Sequence, residues 1–235
     1  MDTNSVWGSW GLVVASIVTL LVVRAVWVLQ ITGRALPAQS GVKRRPLRTL
    51  IVLGSGGHTA EMMSLVRVMD LKRYAPRHYI AGATDNMSLP RAERVEAELL
   101  KSAQFSDQAA DEWLQRSQYS KIYRSREVGQ SYVTSVFTTL WAFAHSVVQV
   151  LRIQPDVILC NGPGTCLPIC VAGFLLKLVG WRWVVVVYVE SIARVKKLSL
   201  TGLLLYKLRL ADQFFVQWKD LKTKYPQANY VGRLM

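Results

Sequence analysis

Apolar positions along this chain fall into three kinds of run. The first is continuous: across 6–31 no charged side chain appears before Arg24. At about 1.5 Å per residue such a run is long enough to cross roughly 30 Å of hydrocarbon as one helix. The second kind is short, rich in Val and Ile, and bounded by turn residues, which predicts strands over 49–53, 78–83, 121–123, 156–160, 183–189, 213–216 and 229–231. The stretch 119–126 also reads as a loop. The third kind repeats at helical spacing and fills most of the gaps, over 58–72, 89–103, 130–153, 165–178 and 200–210. Strands that alternate with helices, several of them apolar enough to be buried on both faces, predict an α/β fold with a doubly wound parallel sheet of the Rossmann-like kind. On the exposed face of the 89–103 helix, Glu93, Glu96, Glu98 and Lys101 read as solvated.

The organisation that follows is a membrane anchor with a short end before it (1–34), a basic linker (35–48) and one Rossmann-like domain (49–235). Trp7 and Trp10 at one end of the apolar run and Trp27 at the other suit the two membrane interfaces, and Arg24 can snorkel to the nearer one. A cleaved signal peptide fits less well, because the chain opens Met-Asp-Thr-Asn-Ser and no Ala-x-Ala site follows. Arg34, Lys43, Arg44, Arg45 and Arg48 all come after the run, so the positive-inside rule places the domain in the cytosol. The net charge of +14 calls for an anionic partner. No zinc spacing, RNA-recognition signature or basic aromatic helix points to nucleic acid, and a membrane surface is expected instead. Cys160, Cys166 and Cys170 sit in apolar context and read as small buried hydrophobes; no metal site is expected. The helices over 130–153 and 165–178 are apolar enough to be core or membrane-resting.

Candidate chemistry lies where two apolar strands empty into glycine-rich turns. The first is Leu53-Gly54-Ser55-Gly56-Gly57-His58-Thr59, followed by a helical pattern. Glycines let the backbone approach a ligand, and free N–H groups at the helix start favour an anion, usually a phosphate. Neither a nucleoside triphosphate loop nor a complete dinucleotide fingerprint is present, since Thr59 stands where the third glycine would be. With Asp85 near the place of a ribose-binding acid, a nucleotide-dependent oxidoreductase is one alternative. A tight turn with no ligand is another. The second turn, Cys160-Asn161-Gly162-Pro163-Gly164-Thr165, repeats the logic, and in an open sheet both turns reach the carboxyl edge where ligands bind. Glu190, delivered by the next strand to the same edge, reads as a ligand-contacting carboxylate or as a helix-capping one.

These two turns, the Val189-Glu190-Ser191 strand end and the terminal Tyr230-Val231-Gly232-Arg233-Leu234, on a single anchor, resemble the asparagine-linked glycosylation protein fourteen family. That family supplies the membrane subunit of the transferase that makes dolichyl-pyrophosphate chitobiose, and it is similar to the amino-terminal, acceptor-binding half of GT-B glycosyltransferases. The resemblance implies a single-pass protein of the endoplasmic reticulum, N-terminus lumenal and domain cytosolic. It also implies recruitment of a cytosolic catalytic subunit of the asparagine-linked glycosylation protein thirteen type, which would hold the UDP-N-acetylglucosamine donor; this chain itself would bind no cofactor. One α/β domain is half of a two-domain transferase, so a heterodimer inactive as separated chains is the expectation. Dolichyl-pyrophosphate-linked N-acetylglucosamine would lie against Gly54, Ser55, Gly56, Gly57, Thr59, Asn161, Gly162, Gly164 and Thr165, with His58 and Glu190 as catalytic candidates. An imidazole is largely neutral near pH 7 and able to take the acceptor hydroxyl's proton, although His58 suits equally a role in shaping the loop or donating to the pyrophosphate. The apolar end from Tyr230 to Met235 is expected to dock on the catalytic partner. A membrane scaffold that never touches the acceptor is the remaining alternative.

Overall fold

The computed structural model describes residues 3–32, 45–104, 106–123, 132–162 and 164–234. Six parallel strands, β1 (Thr49–Val52), β2 (Arg77–Gly82), β3 (Gln118–Ile122), β4 (Val157–Asn161), β5 (Val185–Val189) and β6 (Gln213–Phe215), form one sheet in the order β3-β2-β1-β4-β5-β6. Helices α1 (Thr3–Ile31), α2 (Gly57–Val68), α3 (Ser88–Ser102), α4 (Asp107–Arg116), α5 (Tyr132–Ile153), α6 (Cys166–Val179), α7 (Leu200–Lys207) and α8 (Lys219–Lys224) complete the described elements. The order reverses between β1 and β4, which are paired in register from Thr49 opposite Val157 to Val52 opposite Cys160. This is the doubly wound, Rossmann-like arrangement that the alternating pattern predicts.

Strand periodicity divides the core. Leu50 and Val52 point with Ile158 and Cys160 to one face and pack against α1, α5, α6 and α7. Ile51 and Leu53 point with Leu159 to the other and pack against α2 and α3. The three cysteines are free and fully buried on the first face, with Cys160 and Cys170 Sγ atoms 3.5 Å apart. Burial pushes the Cys160 thiol well above its usual value, so it packs as a neutral apolar group.

Several elements differ from expectation. β3 begins at Gln118 rather than 121, because Tyr119 stacks on Tyr79 of β2 at 5.4 Å and draws the earlier residues into the ladder. The short strand expected at 229–231 is reduced to a single bridge between Asn229 and Phe215. α4 is short and mostly polar and α8 buries only Leu221, so neither stands out in the sequence; α4 is started by Ser106, whose side chain accepts from the Ala109 N–H. Glu96 is not solvated. It is fully buried, paired with buried Arg77 at 2.8 Å and bonded by the Tyr79 hydroxyl. Burial raises the Tyr79 phenol well above its ordinary pKa, so that hydroxyl stays a donor.

α1 is long and apolar enough to cross a membrane, the most apolar 18-residue stretch within Trp10–Ile31 having a mean hydropathy of 2.5. Its last turns, however, belong to the domain. Val28 is fully buried in the core, and Trp27 meets Trp183 edge-on at 5.7 Å instead of standing alone at an interface. Arg24 does more than snorkel: its Nε donates to the Leu178 carbonyl and its Nη2 to the Lys177 carbonyl at 2.9 Å, capping the end of α6. Gly180, at φ +78°, turns the chain there, and a Cβ on it would stand 2.9 Å from the Arg24 guanidinium. Most of the linker expected over 35–48 lies outside the described residues.

Candidate functional site at the switch point of the sheet

The loops that leave β1 and β4 emerge side by side, because those strands are neighbours and parallel. Each loop leads directly into a helix, α2 at Gly57 and α6 at Cys166. Two helix amino ends therefore open on one edge, a place that favours negative charge. Gly56 caps α2 at φ +63°, a conformation that a β-carbon would strain. Ser55, Gly56, Gly57 and Gly164 are exposed on this edge, while Gly54 is buried beneath them. Thr165 precedes α6 with its hydroxyl buried and without a hydrogen-bond partner among the described residues. Pro163 lies outside the described residues.

The two loops interlock through a histidine. Gly162, at φ +71°, lies under the His58 ring so closely that any Cβ would collide with it. The His58 Nδ1 is 3.0 Å from Asn161 Oδ1. Asn161, fully buried at the end of β4, donates from Nδ2 to Glu61 Oε2 at 3.0 Å and to the Val189 carbonyl at 3.4 Å. Ser191 Oγ donates to the other oxygen of Glu61 at 2.8 Å. Loops from β1, β4 and β5 are thus tied in one chain, Ser191 to Glu61 to Asn161 to His58. Glu61 and Ser191 were not among the sequence candidates. The signal was present for Glu61, which stands three residues after His58 and so shares its helix face; nothing in the sequence reveals its partners, 100 and 130 residues away.

Thr59 faces inward. It is buried, its hydroxyl bonds the Gly54 carbonyl, and it lies 2.6 Å from Ser88 Oγ, so it braces the loop from below. Asp85 is occupied in the same brace: it accepts the N–H groups of Met87 at 3.1 Å and Ser88 at 3.0 Å and the Ser88 hydroxyl at 2.6 Å. A ribose-binding role for Asp85, the ground for an oxidoreductase, finds its carboxylate already used.

Glu190 also sits in a different setting from the one expected. Its side chain is fully buried, accepting from the Ser199 N–H at 2.9 Å, the Ser199 hydroxyl at 3.1 Å and the Ser191 N–H at 3.2 Å. Ser199 in turn caps α7, and Gly202 leaves room for the carboxylate. Of its two sequence readings, the geometry is that of the acid bracing a helix start. Burial raises its pKa above the usual carboxylate range, and the Ser199 and Ser191 donors oppose that shift.

At the carboxyl end, Tyr230 and Val231 are exposed, at 39% and 64%. The residues after them fold back: the Leu234 N–H donates to Gln217 Oε1 at 2.8 Å, and the Arg233 guanidinium lies 4.4 Å over the Trp218 ring. Met235 lies outside the described residues. A cavity of about 330 Å³ between the end of α1 and the α7–β6 turn, lined by Gln30, Thr32, Arg209 and Asp212 among others, contains none of the motif residues. Among the described residues no three His, Cys, Asp or Glu side chains are grouped to hold a metal ion.

The family described as oligosaccharide biosynthesis protein Alg14 like matches residues 49–234. The chain belongs to that family. It is 44% identical over 218 residues to the UDP-N-acetylglucosamine transferase subunit ALG14 of Rattus norvegicus, covering 92% of this chain and 93% of the relative. The subunits of the same name from Homo sapiens, 39% identical over 94% of this chain and 95% of theirs, and Schizosaccharomyces pombe, 40% identical over 92% and 97%, are similarly related. Among solved structures, a UDP-N-acetylglucosamine 2-epimerase matches with TM-score 0.47 and 16% identity, over 77% of this chain and 45% of that one. MurG of Acinetobacter baumannii matches with TM-score 0.45 and 16% identity, over 74% and 41%.

Proposed function

We propose that this chain is the membrane-anchoring, acceptor-binding subunit of a heteromeric UDP-N-acetylglucosamine transferase that adds the second N-acetylglucosamine to dolichyl-pyrophosphate-N-acetylglucosamine. Family membership supports the subunit role, since the relatives carry that name. The observation that carries the acceptor assignment is the meeting of two helix amino ends and two glycine turns at the switch point, with His58 held between them. That edge suits a pyrophosphate. It leaves the lipid tail to the bilayer that α1 is able to enter, on the endoplasmic reticulum's cytosolic side by the positive-inside rule.

The donor sits on the cytosolic catalytic partner. In the reaction, His58 takes the proton of the acceptor 4-hydroxyl as its oxygen bonds the anomeric carbon; the bond to UDP breaks, UDP leaves with the electron pair, and the configuration inverts. His58→Ala is expected to lower transfer by about 10²-fold or more while the partner still co-purifies. The check is purification from membranes followed by assay with UDP-N-acetylglucosamine and the lipid acceptor. Activity within a few-fold of wild type removes His58 from the chemistry. An isolated domain that fails to bind the pyrophosphate lipid while the assembled complex is still active favours the scaffold.

A further inference from the structure

We infer that Glu61 is a positioning residue that fixes the tautomer of His58, leaving Nε2 with its lone pair free for the acceptor hydroxyl. The inference rests on the acceptor-binding reading above and names how that site is primed.

A carboxylate and a backbone carbonyl only accept. The atom of Asn161 that faces both Glu61 Oε2 at 3.0 Å and the Val189 carbonyl at 3.4 Å must therefore be its NH2 group. This settles the sense of the amide, and the oxygen is turned to His58 Nδ1 at 3.0 Å. An amide oxygen accepts only, so Nδ1 carries the hydrogen, and in the neutral imidazole Nε2 is the bare nitrogen. No described residue hydrogen-bonds Nε2, and the ring is half-buried at the open edge. Ser191 holds the second oxygen of Glu61 at 2.8 Å, which keeps the carboxylate from swinging away. Gly162 leaves the ring the space it occupies, since a Cβ there would collide with His58 Cε1. A neutral histidine in this tautomer accepts a proton and cannot donate one from Nε2, which favours the base over a donor to pyrophosphate.

The test uses the full-length chain with its anchor, labelled with 15N-histidine, in nanodiscs with its catalytic partner. The three histidines are His58, His78 and His145; His58→Gln assigns the signal. Wild type is expected to show Nδ1–H with unprotonated Nε2. Glu61→Gln can turn an NH2 toward Asn161 and leaves the longer 3.4 Å contact to the Val189 carbonyl as the remaining obligate acceptor, so the sense of the amide is held less firmly and the second tautomer gains population. In the same samples kcat should fall at least about tenfold, toward the roughly 10⁴-fold loss known for a mis-set catalytic tautomer, with KM for the lipid acceptor kept within about threefold. Thermal melting and partner recovery equal to wild type separate this from misfolding. An Nε2–H tautomer in wild type, or an unchanged tautomer in Glu61→Gln, overturns the inference. A shifted tautomer with unchanged transfer overturns its role in the reaction. The tautomer is read without turnover, so failure of the transferase assignment would show separately, as a fixed tautomer in a complex that transfers nothing.

Discussion

Gly162 carries two constraints at one backbone position. Its φ of +71° is strained for any L side chain, and a Cβ would strike the His58 ring. Gly162→Ala is therefore expected to lose about 1–2 kcal/mol of stability from the left-handed conformation alone and to push His58 out of register with Asn161, cutting transfer by about tenfold or more. Gly164→Ala is the comparison, since a Cβ there meets nothing within 4 Å, and its melting temperature should match wild type. Melting curves and transfer assays on the two variants check this. At this scale the sequence pointed to the two loops that the structure brings together and to the His58 between them, because glycines and a histidine after an apolar strand are a local pattern. It could not reveal Glu61 in its role, nor the setting of Glu190. Glu190 and Ser191 are adjacent at one strand end, yet Ser191 bonds Glu61 while Glu190 braces α7. Which neighbour serves which purpose depends on contacts distant in sequence.

Elements were legible where period and burial agreed. β1 and β4 are buried along their whole length and read as continuous apolar runs. α3 shows the limit, since its charged positions look solvated until Glu96 meets Arg77 across the α3–β2 contact. That pair, 2.8 Å apart with both side chains fully buried, pins helix to strand. Removing one partner leaves an uncompensated buried charge, so Arg77→Met is expected to cost about 3–5 kcal/mol. Arg77→Met combined with Glu96→Leu should recover part of that loss, because no charge is left buried, while the buried Tyr79 hydroxyl loses its acceptor. Denaturant titration of the three proteins measures it; a single variant as stable as wild type would show the pair to be dispensable. The 229–231 segment misleads for a related reason: its residues have strand character, yet only Asn229 reaches Phe215 before the chain turns back.

On the scale of the whole molecule, the carboxyl end and the anchor define how the domain meets its surroundings. Leu234 and Arg233 are engaged with Gln217 and Trp218 of their own domain, whereas Tyr230 and Val231 are presented outward. A partner that docks at 230–235, as the family resemblance implies, would meet the exposed pair Tyr230 and Val231. Tyr230→Ala with Val231→Asp is expected to release the catalytic partner to the cytosol while this chain keeps its membrane level, whereas deleting 232–235 should also lower the chain's own stability. Quantifying both proteins in one membrane fraction separates the two effects, and full partner retention in the double variant would move the interface elsewhere. The anchor was legible as an apolar run, but its union with the domain was not, because Arg24 reads as an interruption until the carbonyls at the end of α6 are seen to receive it. That clamp has a mechanical meaning. With Arg24 tied to α6 and Val28 seated in the core, α1 is joined to the sheet as a handle rather than as a tether. A transmembrane helix adjusts its tilt to the thickness of its bilayer. With α1 across a bilayer as proposed, each change of tilt would swing the His58 edge relative to the lipid surface, and the composition of the membrane would set the angle at which the proposed lipid-borne acceptor is met.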